Sequence, residues 1–157
     1  MITAFIDFCT ASDAEAIYEI EAECFADPWH KSILREELRA GMGPYVYIKA
    51  ELKASIAGYA VFNCEDRLLH LLRLGVARKY RRFGLATQLL AAAEEIARYR
   101  KCSRIKLEVR ASNTEAALFY ESLGLRLLYR LNRFYTDGET ALVYGGHFPL
   151  NFLKSEP

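Results

Sequence analysis

The chain has 157 residues, 52% hydrophobic and 26% charged, so it has the length of one domain and enough apolar mass to bury a core, which excludes a disordered chain. Its 21 basic and 20 acidic residues leave a net charge of +1, with no global field to attract nucleic acid or an anionic membrane; any anion site must be local. No stretch approaches the roughly 20 apolar residues of a membrane span, and no basic region followed by a long apolar run opens the chain. Cys9, Cys24, Cys64 and Cys102 are scattered without metal-ligand spacing, and free thiols in a soluble, reducing, cytoplasmic setting are the expectation.

Ile2 to Cys9 is rich in β-branched and aromatic residues and predicts a first strand. Thr10 and Ser12 offer N-caps, with Ser12 and Glu15 at capping-box spacing, for a helix over about Asp13 to Cys24. Ala16, Ile17, Ile20 and Cys24 recur along it as one buried face requires, and Asp27-Pro28 breaks it. A second helix around Lys31 to Arg39 turns Ile33, Leu34 and Leu38 inward and ends at Gly41-Met42-Gly43-Pro44. Tyr45 to Ala50 and Ser55 to Asn63, joined by a short polar turn, predict an antiparallel hairpin.

Leu68 to Val76 is apolar on both parities apart from His70 and Arg73, as in a central strand covered on both faces. Leu85 to Arg100 is amphipathic with a helical period, and Ile105 to Arg110 alternates strictly as a strand. A right-handed crossover through that helix makes the two strands parallel. A helix from Thr114 to Ser122 stops at Gly124. Arg126 to Tyr135 and Ala141 to Gly145 then form a closing hairpin over Thr136-Asp137-Gly138-Glu139. The expectation is an α/β (α+β) fold over residues 1–150: a mixed, mostly antiparallel sheet of about seven strands around a parallel central pair, flanked by about four helices. Residues 151–157 are expected to be a loose tail.

Between the central strand and the long helix stands Arg81-Arg82-Phe83-Gly84-Leu85-Ala86-Thr87. The first turn of a helix has unpaired N–H groups and about half a positive charge, so it can hold a pyrophosphate, and Gly84 and Ala86 let one approach closely. Arg78, Lys79, Arg81 and Arg82 concentrate positive charge just upstream. The segment is neither a GxGxxG fingerprint nor a GxxxxGK[ST] loop. As R-x-x-G-x-A it resembles the acetyl-CoA loop, Q/R-x-x-G-x-G/A, of the GNAT superfamily of N-acetyltransferases.

Leu107-Glu108-Val109-Arg110-Ala111-Ser112-Asn113, followed by Ala117-Leu118-Phe119-Tyr120-Glu121-Ser122-Leu123-Gly124, is more specific. It is similar to the RimI-type enzymes that acetylate the N-terminal alanine of ribosomal protein S18. Asp27-Pro28-Trp29 and Asn132-Arg133-Phe134-Tyr135 agree with that family, and the resemblance spans Ile2 to about His147. The departures are Arg78 for a common proline, Ala86 for a second glycine, Phe134 for a common tyrosine, and Asp27 for a phenylalanine.

The resemblance implies acetyl-CoA as co-substrate, no metal, and direct transfer of an acetyl group to a protein N-terminus. It assigns Glu108 as general base and Tyr120 as general acid. The pyrophosphate contacts would be Arg81, Arg82, Phe83, Gly84, Ala86 and Thr87. Leu74 and Val76 would meet the pantetheine and thioester between splayed central strands, with the Val76 N–H as oxyanion donor. Asn113 would cap its helix and reach CoA, while Trp29, Phe134 and Tyr135 would wall the acceptor channel. Gly75 either eases a bulge or packs against a neighbour. His30, His70 and His147 are too dispersed for a metal site and are expected to be structural or exposed. The same chemistry permits a small-molecule amine or lysine acceptor. A non-catalytic acyl-CoA-binding module is the third reading, against which Glu108 and Tyr120 argue. Neither nucleic acid nor membrane is expected as a partner.

Overall fold

Apolar runs separated by short turns take the elements their periods imply. The strands are β1 (Phe5–Phe8), β2 (Tyr45–Leu52), β3 (Ser55–Glu65), β4 (Leu68–Val76), β5 (Arg104–Arg110), β6 (Arg126–Leu131) and β7 (Ala141–His147). The helices are α1 (Ala14–Cys24), α2 (Lys31–Ala40), α3 (Leu85–Tyr99) and α4 (Thr114–Ser122). The computed structural model describes residues 2–41 and 43–152. Its seven strands follow the order β1-β2-β3-β4-β5-β7-β6. β1 with β2, β2 with β3, β5 with β7 and β6 with β7 pair antiparallel, while β4 and β5 pair parallel, as the crossover argument requires. The parallel register runs from Leu68↔Arg104 to Leu71↔Leu107.

The chain gathers into two compact units, the first taking residues up to Asn63 together with Arg73–Ala93, the second Cys64–Leu72 and the chain from Glu94 onward. In the first unit α1 buries Ala14, Ile17 and Ile20, α2 buries Leu34 and Leu38, and β3 contributes the fully buried Tyr59 and Phe62. The capping box differs from the sequence expectation. A single 3-10 turn, Ala11–Asp13, precedes α1, and Asp13 accepts the Thr10 N–H at 2.7 Å and Lys49 Nζ at 2.9 Å. Glu15 stays at the surface with Lys31. Asp13 wins because it also answers a poorly exposed lysine, which Glu15 cannot reach.

β1 is shorter than expected because residues before it brace the loop ahead of α3. Ile2 N donates to Phe83 O at 3.1 Å and Ala4 N to Gln88 Oε1 at 2.9 Å. At Gly75 a Cβ would lie 3.0 Å from Tyr59 Cε1 and 3.3 Å from Ile20 Cγ2, so close packing against neighbours calls for a glycine here.

In the second unit β5 buries Ile105, Leu107 and Val109, and α4 buries Tyr120. β6 ends at Leu131, short of the predicted Tyr135, because Arg133 takes a left-handed φ of 54° and the chain enters a turn. Beyond β7, Leu150 N donates to Glu94 Oε1 at 2.6 Å, and Asn151, the first residue of the expected loose tail, is held by its N–H to Leu123 O at 2.9 Å. The remainder of the predicted tail, 153–157, lies outside the described residues. β6 is an edge strand that exposes Leu127, Leu128 and Tyr129, and its pairing with β7 is interrupted by a register shift between Leu127 and Tyr129. All four cysteines are free; burial pushes the Cys64 thiol up to about 12, aided by its hydrogen bond with Cys102. No helix among the described residues is long and apolar enough to cross a membrane, and none of their side chains cluster as metal ligands.

Candidate active site

The turn before α3 has the local geometry that phosphate binding needs. Arg82 and Gly84 both take left-handed backbone, φ 68° and 82°, so successive peptides alternate in direction just before the helix starts at Leu85. Gly84 O accepts the Gln88 N–H at 3.1 Å, closing the first helical turn, and the N–H groups of Leu85, Ala86 and Thr87 precede any i−4 carbonyl of the helix. Phe83 is 40% exposed beside them. Arg81 is committed elsewhere: its Nε donates to Val76 O at 3.1 Å and a terminal nitrogen contacts Cys24 Sγ at 3.4 Å. It braces the end of β4, leaving Arg82 as the freer charge. Leu74 and Val76 are half-buried at that end.

A buried cluster in the same unit holds the connection between α1 and α2. Glu21 is fully buried, and its carboxylate accepts the Trp29 N–H at 2.7 Å and the Tyr59 hydroxyl. Arg73 Nε lies 3.0 Å from the same carboxylate as an ion pair, off the line of its N–H. The guanidinium carbon stacks 4.2 Å from the Phe25 ring centre and 4.6 Å from that of Trp29, and the group also donates to Asp27 O at 3.0 Å. Burial first, and then the neighbouring carboxylate, pushes the Tyr59 phenol far above its ordinary range, so it remains a donor. Trp29 is thus pinned at both backbone and ring.

The second unit carries the proposed acid and base. Glu108 is half-buried on β5, one residue past the last β4–β5 pair. Its two oxygens lie 2.7 and 3.0 Å from His70 Nε2, a contact the sequence reading of His70 as structural or exposed missed. A carboxylate only accepts, so Nε2 carries the proton in this contact. Tyr120 is 7% exposed, and desolvation pushes its phenol above the ordinary range, which keeps it protonated at neutral pH. Asn113 caps α4, its Oδ1 accepting the Ala116 N–H at 3.1 Å.

The β6–β7 connection is organised by Arg110. It pairs with Asp137 at 2.7 Å and Glu139 at 2.9 Å, and its guanidinium stacks 4.1 Å from the Tyr135 ring centre. Tyr135 meets Phe134 edge-on at 5.0 Å, and Phe134 is 48% exposed. The missed residues, His70 and Arg73, are the two polar interruptions of β4's apolar run, the one available sequence signal for them. Glu21 gave none, since an isolated glutamate on an amphipathic helix reads as surface.

The first unit carries a glycine turn into a long helix, and the second a half-buried glutamate on β5 and a buried tyrosine on α4. The chain belongs to the acetyltransferase (GNAT) family, whose model matches residues 14–125. It is an N-acetyltransferase by class. It is 32% identical to an uncharacterized N-acetyltransferase of Methanocaldococcus jannaschii, over 85% of each chain. It is also 32% identical to a putative [ribosomal protein bS18]-alanine N-acetyltransferase of Bacillus subtilis, covering 83% of this chain and 87% of that one. The crystal structure of the ribosomal-protein-S18-alanine N-acetyltransferase from Escherichia coli superposes with a TM-score of 0.80 at 28% identity, over 92% of this chain and 94% of that one.

Proposed function

We propose that this chain transfers the acetyl group of acetyl-CoA directly to the N-terminal α-amine of a protein, a ribosomal protein S18-like acceptor, with Glu108 as general base and Tyr120 as general acid. The observation that carries the reading is the Glu108–His70 contact at 2.7 Å, which fixes a half-buried carboxylate on the strand where the resemblance puts the base. Acetyl-CoA supplies the activated thioester. The α3 first turn with Gly84, Ala86 and Thr87 would hold its pyrophosphate, with Arg82 and Phe83 alongside; Arg81 contributes by bracing Val76. The left-handed peptides before α3 and the open first-turn N–H groups support that fit. Leu74, Val76 and Asn113 complete the cofactor contacts, and Trp29, Phe134 and Tyr135 face the acceptor.

A protein α-amine has a reference pKa of about 7.7 to 8.0 against about 10.4 for lysine, so a carboxylate near neutrality has far less to do on a chain terminus. Glu108 takes the ammonium proton, directly or through one water, and the free amine attacks the thioester carbonyl. The tetrahedral oxyanion needs a backbone donor, for which the Val76 N–H is our candidate. Collapse expels the CoA thiolate, which takes a proton from Tyr120, while the surplus proton of the new amide nitrogen passes through water to restore the phenol; burial keeps that phenol neutral before the step.

Purified enzyme, acetyl-CoA and a peptide with an S18-like N-terminal alanine, assayed beside free amines and a lysine peptide with a blocked terminus, test the acceptor. Preference for the α-amine peptide is expected; faster acetylation of the small amines would overturn it. Glu108→Gln and Tyr120→Phe should each lower kcat by about 100-fold or more while acetyl-CoA affinity stays within about twofold. Full activity in both variants would remove the role assignment.

A further inference from the structure

A groove of about 640 Å³ lies in the second unit, lined by Arg104, Lys106, Arg126, His147, Leu128 and Tyr129 among others, with no acidic side chain on its walls. Neither Glu108 nor any residue assigned to the acceptor lines it, so what it holds is not the amine being acetylated. Among the described residues none of these four basic side chains makes an ion pair or side-chain hydrogen bond. Arg110, on the same strand as Arg104 and Lys106, is by contrast answered by two carboxylates at 2.7 and 2.9 Å.

The register across three strands sets the spacing of these charges. Lys106 on β5 stands opposite Gly145 on β7, and Gly145 opposite Arg126 on β6, so the two cations share one row of the sheet. Two strand spacings put their backbones about 10 Å apart. Arg104 lies roughly 7 Å from Lys106 along the same strand face, opposite His147. Between Lys106 and Arg126 the row has no side chain of its own. A Cβ at Gly145 would lie 2.7 Å from Leu128 Cδ1, so Leu128 covers that glycine. Leu128 is 56% exposed and Tyr129 48%. The surface is therefore an apolar centre rimmed by unanswered cations, which is the build of a protein interface and not of a site for a bare anion.

We propose that this surface docks another protein, distinct from the acceptor, through a segment that carries acidic side chains on both sides of an apolar one. Carboxylates would answer Arg104, Lys106 and Arg126 while the apolar residue covers Leu128 and Tyr129. A second copy of the chain does not fit, because a symmetric contact through this face sets the same cations against one another. Nucleic acid would answer the cations but leave Leu128 without an apolar neighbour, and a net charge of +1 adds no wider field to gather a phosphate backbone. The docking does not depend on which amine is acetylated.

The test measures fluorescence anisotropy with the full chain and a ten-residue peptide alternating glutamate and leucine. An N-terminal fluorescein leaves the peptide no α-amine to acetylate, and saturating CoA keeps the turn before α3 occupied. The peptide should bind at least 10-fold more tightly than matched glutamate–serine and lysine–leucine peptides, and more weakly as ionic strength rises. The double substitution Arg104→Glu and Arg126→Glu should weaken binding at least 10-fold, with an unchanged thermal unfolding temperature showing that the variant is folded. If that variant unfolds, Leu128→Ser at the exposed centre should still weaken binding several-fold. No binding, equal binding of the glutamate–serine peptide, or binding untouched by these substitutions would overturn the docking surface. So would tighter binding to a ten-nucleotide single-stranded RNA or to phosphatidylglycerol vesicles than to the glutamate–leucine peptide.

Discussion

Two polar side chains interrupt the apolar run of β4, and each holds a glutamate. Arg73 answers the fully buried carboxylate of Glu21, which also receives Trp29 N–H and the Tyr59 hydroxyl. A buried charge left without its partner costs far more than the pair contributes, so Glu21→Ala should destabilise by about 3 kcal/mol in urea unfolding, through Arg73 stranded between two rings. Tyr59→Phe removes one donor and leaves the ion pair, and about 1 kcal/mol is expected. On the proposed role of Glu108, its contact with His70 makes the histidine a positioning residue. His70→Ala should lower kcat about 10-fold, with the KM for acetyl-CoA unchanged, by freeing the carboxylate to leave its reactive geometry. His70→Gln, which retains an N–H donor, should recover part of that loss; a histidine that merely packs would lose as much with either substitution. Both polar residues stood out in the sequence as exceptions in an apolar strand. Their partners did not, since β4–β5 pairing and helix–strand packing bring together residues 38 apart for His70 and Glu108 and 52 apart for Arg73 and Glu21, distances over which local pattern carries no information.

At the scale of elements, the strong periods identified the helices and the central strands nearly to the residue, while the ends were decided by contacts outside them. β1 lost its first residues to the bracing of Phe83 and Gln88, and the capping box moved to Thr10 and Asp13 because Lys49 was waiting there. The closing hairpin was legible as a hairpin, but not that Arg110, read only as the polar face of β5, would organise its connection. Backbone N–H and hydroxyl donors together with Arg110 hold the exposed Asp137 and Glu139 below the ordinary carboxylate range. A carboxyl with a depressed folded pKa stabilises above its unfolded value, about 4, and that contribution disappears as pH falls through the folded value. The protection of the Tyr135, Gly138 and Ala111 amides, each exchange rate taken relative to its intrinsic rate at that pH from pH 7 down to pH 3, should therefore hold to about pH 4 and fall below it, ahead of the β5 core amides. Simultaneous loss of protection in both would show that these acids do not hold the hairpin.

Across the whole molecule, composition and order of elements were enough to anticipate seven strands, a parallel pair at their centre and four helices, because topology rules leave few alternatives to a strand, helix, strand crossover. Charge was the less legible property. A net value of +1 conceals the answered cations around Arg110, Arg73 and Lys49 and the unanswered ones on the groove, a distinction that exists only after folding. The register shift in β6 bears on how such molecules behave toward each other. An edge strand with Leu127, Leu128 and Tyr129 exposed offers another chain both a row of unpaired peptides and a greasy surface, the combination that seeds aggregation. The irregularity between Leu127 and Tyr129, with Arg126 and Arg130 flanking it, spoils that template by breaking its regular spacing and surrounding it with like charge. The imperfection in the ladder is therefore a safeguard: it keeps a sticky border from becoming the first rung of a fibre.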